Sequence, residues 1–347
     1  MELGSVQALK SRIEEGLLQG AERRKGTELQ ALIEQRPESR LAVGYSRKSA
    51  NDYQLELRVQ RPGGPAHKQA EELKETEAKG EANIEVITVV EIPAQSHVAK
   101  LEAAPLGESR RPLHIGLSVG HPDGGSGTLG AFVGNATADF ILSNNHVFAL
   151  MGKAKKLEPI FQPGGTDRWP LTDEDQIATL ANFNIISRTK RNTIDSAIAR
   201  MEPEMAHESN RIPKKLGFPL EGQLIEYGGK VTDLELKAGS ELCKIGRTTG
   251  FTEGSLSAIA LDMVTVKTPL GNVLFDDVIE VNWLAKDRPF TLPGDSGSLV
   301  FTKDGRKAIG LHFAGGTKLL ADGREVGVSY ACSLAAVLKA LKVSLLS

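Results

Sequence analysis

Eight residues, Thr291-Leu-Pro-Gly-Asp-Ser-Gly-Ser298, constrain this chain more than any other stretch. The glycines and small side chains around Ser296 demand a sharp bend whose backbone lies open to close approach. In such a bend the N–H groups of Gly294 and Ser296 can point at one spot and stabilise an oxyanion. A serine hydroxyl is a poor nucleophile until a neighbouring base takes its proton. The fold must therefore carry a base, and an acid to orient it, to this loop from elsewhere in the chain.

The base is expected at His146, in Phe140-Ile-Leu-Ser-Asn-Asn-His146-Val-Phe. An apolar run reads as a buried strand and a polar turn follows it, so the ring sits at a strand end, free to reach a cleft. His67, His97, His114, His121, His207 and His312 show how often a histidine is simply a core or surface residue. The acid is expected at Asp195, in Asn192-Thr-Ile-Asp-Ser-Ala-Ile-Ala199, where a carboxylate interrupts an apolar stretch. Burying a charge is costly unless it is paired, and the imidazole N–H of His146 would supply the partner. A turn or strand-end role for Asp195 stays open. Asp173 and Asp175 sit in a polar loop, and Asp139 opens the strand at the end away from the ring.

The order His146, Asp195, Ser296 is that of the chymotrypsin arrangement and differs from those of subtilisin and the α/β-hydrolases. With these residues on the page, the chain resembles a trypsin-like (chymotrypsin-fold) serine peptidase. It is most similar to the prokaryotic intracellular-type branch with a Ser-Asn-Asn-His-Val histidine box. Arg111-Pro-Leu, Gly116-Leu-Ser-Val-Gly-His121, Gly127-Thr-Leu-Gly130, Gln162-Pro-Gly164 and Gly246-Arg-Thr-Thr-Gly250 add to the likeness. The resemblance covers residues 110 to 345 and implies a mostly β fold of two six-stranded β-barrels with the site in the cleft between them. It implies a serine endopeptidase working through an acyl-enzyme, with no cofactor and no metal.

The resemblance also bears on specificity. The residue six before the nucleophile, at the floor of the S1 pocket in such folds, is Phe290, so trypsin's basic preference is not expected. His312, in Gly310-Leu-His-Phe-Ala-Gly-Gly316, and Thr291 match the positions that read a Glu or Gln side chain in glutamyl endopeptidases and picornaviral cysteine peptidases. A satisfied core histidine and a turn threonine are the alternative reading of those two residues. Two other classes compete for the whole chain. One is a latent or pseudo-peptidase acting as a binding module. The other is an esterase, although Gly-x-Ser-x-Gly would need glycine where Ser298 stands.

Composition bounds the partners. Hydrophobic and charged contents of 40% and 25% are those of an ordinary globular protein. A net charge of −2 argues against nucleic acid or an anionic membrane as the main partner, and the resemblance implies a protein or peptide substrate. Cys243 and Cys332 read as buried thiols. The first residues show no basic stretch followed by an apolar one, and no apolar run is long enough to span a bilayer, so a cytoplasmic location is expected.

Residues 1–105 read as a small α+β region ahead of the peptidase domain at 106–347. Val6, Leu9, Ile13, Leu17 and Leu18, then Leu29, Leu32 and Ile33, recur at helical spacing. Leu41 to Val59 reads as a strand pair turning at Ser49–Asp52, Arg61 to Asn83 as a mobile loop, and Ile84 to Ile92 as a third strand. This region is a candidate gate over the cleft or docking point for a regulatory partner. No Ile-Val-Gly-Gly activation sequence occurs. Beyond Gly116, short β runs are separated by glycine-rich turns. The tail from Ser333 to Leu346 reads as a helix with Leu334, Val337, Leu338 and Leu341 on one stripe.

Overall fold

A computed structural model describes residues 1–22, 33–92, 105–203, 205–285 and 287–347. The expected helical residues Leu29 and Leu32 lie outside that set. The fold is mostly β, as the turn-punctuated sequence implies. One six-stranded antiparallel sheet is built from Ala131–Gly134, Asp139–Ser143, Pro159–Phe161, Gln176–Phe183, Ala197–Met201 and Ser344–Leu345. The second half forms a closed antiparallel ring. It runs from Glu241–Gly246 through Leu299–Thr302, Lys307–Leu319, Glu325–Ser333, Val278–Trp283 and Gly250–Asp262, then back to Glu241–Gly246.

The N-terminal residues do not stand apart from this ring. Strands β1 (Leu41–Ser49), β2 (Asp52–Val59) and β3 (Ala82–Glu91) belong to the same twelve-stranded sheet. Strand β1 pairs with Gly250–Asp262, and β3 pairs with Lys307–Leu319. Those two partners have 13 residues each, longer than their neighbours in the ring, and their extra length carries the N-terminal strands. Helix α1 (Leu3–Glu22) buries Val6, Leu9 and Ile13 against β1 and β2, as its spacing predicts.

One expectation is corrected. The charged stretch within Arg61–Asn83 is a helix, Pro65–Thr76, rather than a loop. Pro65 starts it with a pre-set φ, and Ala66 and Ala70, one turn apart, are its buried contacts. The helix has a topological reason: β2 and β3 pair in parallel, and parallel neighbours need a crossover.

The C-terminal helix, Leu334–Leu341, buries the expected stripe and is capped by Ser333, whose side chain accepts from the Ala336 N–H. It stops sooner than the sequence suggests. Lys342 turns left-handed, and Ser344–Leu345 crosses to pair with Ala131–Gly134 of the first sheet. Among the described residues, no helix is long and apolar enough to cross a membrane.

Candidate active site

His146 lies in a single helical turn, Asn145–Phe148, directly after the strand Asp139–Ser143. That strand pairs antiparallel with Ala197–Met201, in the register Ala197↔Ser143, so the end of one strand meets the start of the other. Asp195, two residues before Ala197, is thereby set beside His146. Its Oδ2 lies 2.5 Å from His146 Nδ1, and its Oδ1 accepts from the His146 backbone N–H at 3.2 Å. The carboxylate is 0% exposed. Its backbone is held as well: the Asp195 N–H donates to Cys332 Sγ, and its carbonyl accepts from Asn144 Nδ2 at 2.7 Å. With Nδ1 committed to Asp195, Nε2 is the nitrogen left to act as a base.

The rival carboxylates are placed elsewhere. Asp139 and Asp173 are exposed, while Asp175 caps Thr172 and pairs with Arg168. Cys243 and Cys332 are free and buried, and burial pushes the Cys243 thiol up to about 12.

The nucleophile loop is shaped around Asp295 rather than around Ser296 itself. Asp295 Oδ1 accepts from the N–H groups of Thr248 and Thr249 at 2.9 and 3.1 Å. Its Oδ2 accepts from the Leu292 N–H at 2.9 Å and from Thr249 Oγ1 at 2.7 Å. Lys244 Nζ, wholly buried, lies 3.3 Å away. Burial alone would raise the carboxyl's pKa, but Lys244 and these donors hold it below the ordinary range. Gly246-Arg-Thr-Thr-Gly250 is thus the cradle of Asp295, a role the sequence did not reveal. A side chain at Gly246 would collide with the carboxylate.

The bend follows from that anchoring. Gly294 has φ +99°, and a Cβ there would strike Arg247 and Thr248. Thr128 fastens the loop to the first half: its N–H donates to the Ser296 carbonyl at 2.8 Å and its hydroxyl to the Gly294 carbonyl at 2.9 Å. Among the described residues, the N–H groups of Gly294 and Ser296 have no acceptor. They are the two that the sequence singled out for an oxyanion. Ser296 is 7% exposed, and its hydroxyl makes no hydrogen bond among the described residues. Catalytic hydrogen bonds of this kind often tighten only when substrate is present.

Ser296, Thr291 and His312 share one cavity of about 460 Å³. Phe290 does not line it and is corrected here: it is wholly buried in the core of the second half. Phe290 lies at a bend in the chain, with its ring in the core while Thr291 lines the cavity. The polar groups of the cavity have a direction. Trp283 Nε1–H donates to Ser329 Oγ at 3.0 Å, and Ser329 and Thr291 hydroxyls lie 2.6 Å apart. Ser329 accepts from Trp283, and either hydroxyl of the Ser329–Thr291 pair can be the donor of the bond between them. His312 Nδ1 donates to the Tyr330 carbonyl at 3.1 Å, leaving Nε2 as an acceptor. Burial depresses the His312 pKa to about 4, so the ring is neutral at neutral pH.

Sequence reasoning missed Trp283, Ser329, Tyr330 and Lys244. Only Lys244 carried a signal, a cation within Leu242-Cys-Lys-Ile-Gly246, an otherwise apolar strand. The chain's own ammonium group is not the partner of Asp295; Met1 N pairs with Asp52 and Glu81 at 2.8 and 2.7 Å. Among the described residues, no group of three or more His, Cys, Asp or Glu is arranged to hold a metal ion.

No protein-family model matches the chain. Protein NARROW LEAF 1 of Oryza sativa subsp. japonica is 36% identical over 94 residues, which is 25% of this chain and 15% of the rice protein. The similarity therefore spans a small part of that relative's length. Among solved structures, a glutamic acid specific serine protease described with a histidine triad in substrate binding is 17% identical, with a TM-score of 0.45. The match covers 67% of this chain and 100% of that one. Nocardiopsis protease is also 17% identical with TM-score 0.45, over 67% and 98%. Cellulomonas bogoriensis chymotrypsin is 16% identical with TM-score 0.43, over 67% and 97%. At these scores the likeness carries no argument about activity or specificity.

Proposed function

We propose that the chain is a cytoplasmic serine endopeptidase of the trypsin-like kind, acting on protein or peptide substrates. The observation that carries this reading is His146, held through Nδ1 by a fully buried Asp195, in a fold that also turns two unpartnered N–H groups at Ser296. In the proposed reaction His146 Nε2 takes the Ser296 proton as Oγ attacks the peptide carbonyl, and returns it to the leaving amine. Water then hydrolyses the acyl-enzyme through the same base. Asp195 fixes the tautomer and stabilises the imidazolium. Gly294 and Ser296 N–H groups stabilise the oxyanion, a contribution of about 3 to 4 kcal/mol per donor in measured cases.

Thr291 and His312 are proposed to read a Glu or Gln side chain before the scissile bond. Neutral His312 offers an acceptor and the Thr291 hydroxyl can donate or accept, a set that suits a carboxamide; a carboxylate facing His312 would require the ring to gain a proton.

The test is labelling by a fluorophosphonate together with cleavage-site profiling on a complex peptide library, with Ser296→Ala as control. The reading expects labelling and cleavage by the wild type alone, with cuts after Gln or Glu. Cleavage by Ser296→Ala would overturn the nucleophile assignment. Ester turnover without peptide cleavage would point to an esterase. A wild type inert to both probes would point to a binding module.

A further inference from the structure

The wall of the cavity beside Ser296 is the strand Lys307–Leu319, and its two edges are used differently. One edge is paired with Glu325–Ser333 over Gly310 to Leu319. On the other, Leu299–Thr302 covers Ala308 to Leu311, and His312 exchanges hydrogen bonds with Gly297 and Ser298. From Gly315 to Leu319 that same edge is occupied by β3, in the register Gly315↔Glu91 to Leu319↔Val86. Between those partners, Phe313 and Ala314 have no strand and no backbone hydrogen bond on this edge among the described residues, and both line the cavity.

An extended peptide binds such an edge by adding itself as a strand. At about 3.3 Å per residue, two unpaired positions admit two residues of backbone. Beyond them, Glu91 and Val89, 42% exposed, close the same cavity.

Strand β3 is fixed in place. A Cβ at Gly316 would lie 2.5 Å from the Val89 carbonyl oxygen, so the two backbones are in close contact. On its far side β3 pairs in parallel with β2 from Leu55↔Ala82 to Val59↔Val86. Glu85, within β3, is tied to Lys318 and to the buried Arg58. Peeling β3 away would break both pairings and strip Arg58 of one partner.

We infer that β3 is a stop in the substrate cleft, so that recognition of the acyl side ends with the second residue before the scissile bond. This rests on the peptidase reading and assigns the N-terminal region a part in specificity.

The experiment uses the full-length wild type and N-acetylated peptide amides ending in Gln before the reporter group, with one to five residues on the acyl side. Truncating a substrate below its recognised length lowers kcat/KM, so a rise of about tenfold is expected from one residue to two. From two to five the values should agree within about twofold, since contacts that are not made contribute no binding energy. A further rise of about tenfold between two and four residues would overturn the inference while leaving the peptidase in place. Fluorophosphonate labelling of Ser296, run in parallel, separates the two failures. Absence of both labelling and cleavage at every length overturns the peptidase reading and this inference with it.

Discussion

Two buried charge clusters stand out among the described residues, and they are built differently. Beneath the nucleophile loop, Asp295 meets one cation, Lys244, and otherwise backbone N–H groups and a hydroxyl. Beneath the N-terminal strands, Arg58 meets Glu280, Glu56 and Glu85, which are side chains from three separate strands. Backbone donors around Asp295 fix the path of the chain, so that cluster sets loop geometry. Side chains around Arg58 fix which strands lie together, so that cluster joins β2 and β3 to the ring. The first should matter chiefly to chemistry, the second chiefly to stability. Tyr330 links the second cluster to the cavity wall: its hydroxyl donates to Glu280 and its carbonyl accepts from His312 Nδ1.

Lys244→Met is the substitution best able to break this contrast. Removing the lysine leaves a buried carboxylate without its one cation among the described residues, a change of about 3 to 5 kcal/mol in comparable cases. The loop relaxes, and the Gly294 and Ser296 donors lose their aim. Losing a single oxyanion donor costs roughly 100- to 1000-fold, so kcat/KM should fall at least about 100-fold. Steady-state kinetics, the rate of fluorophosphonate labelling and thermal unfolding measure the two effects together. Activity within twofold of wild type would show that Asp295 does not need Lys244 to hold the loop.

Arg58→Met sharpens the other half. Glu280, Glu56 and Glu85 would then repel one another at a buried site, so a loss of about 3 to 5 kcal/mol is expected by denaturant unfolding. Below the unfolding transition, kcat/KM should fall by less than about tenfold, because no group in the reaction is touched. A loss of turnover as large as that of Lys244→Met, with stability unchanged, would reverse the roles assigned to the two clusters. The same pairings set the consequence of deleting residues 1–105. The deletion removes β1 to β3 from a shared sheet and leaves Glu280 buried without Arg58.

What was legible in the sequence follows the same division. His146, Asp195 and the loop at Ser296 could be read because each is a polar residue in a context that its neighbours do not explain. The strand pairs and the C-terminal stripe could be read from periodicity. The crossover helix Pro65–Thr76 was hidden because only Ala66 and Ala70 are buried, too small a signal against its charges. The junction of β3 with Lys307–Leu319 was hidden for a deeper reason. Strand partners distant in sequence leave no local mark, and a strand such as β3 reads alike whether it closes a separate unit or walls a cleft. Phe290 shows the matching error at one residue: position alone suggested a pocket floor, and the ring packs in the core of the second half.

The smallest effect tests the cavity's polarity. Burial holds the His312 pKa near 4, whereas the unfolded chain would take a proton near the usual 6.5. The unfolded state therefore binds more protons between those values, and the stability this neutral ring permits is full above 6.5 and declines as pH falls towards 4. Recognition follows the same sign. Neutral His312 accepts from a carboxamide, so Gln substrates should be handled alike from pH 7 to 5. A carboxylate is accepted only with one additional proton in the cavity, and that state grows about tenfold per pH unit on descending towards 4. The ratio of kcat/KM for Glu over Gln substrates should therefore rise by roughly tenfold from pH 6 to 5. Any pH effect common to both substrates cancels in that ratio. A ratio that stays flat, or falls, would mean that His312 does not face the substrate's side chain, and Thr291 would then be reading it alone.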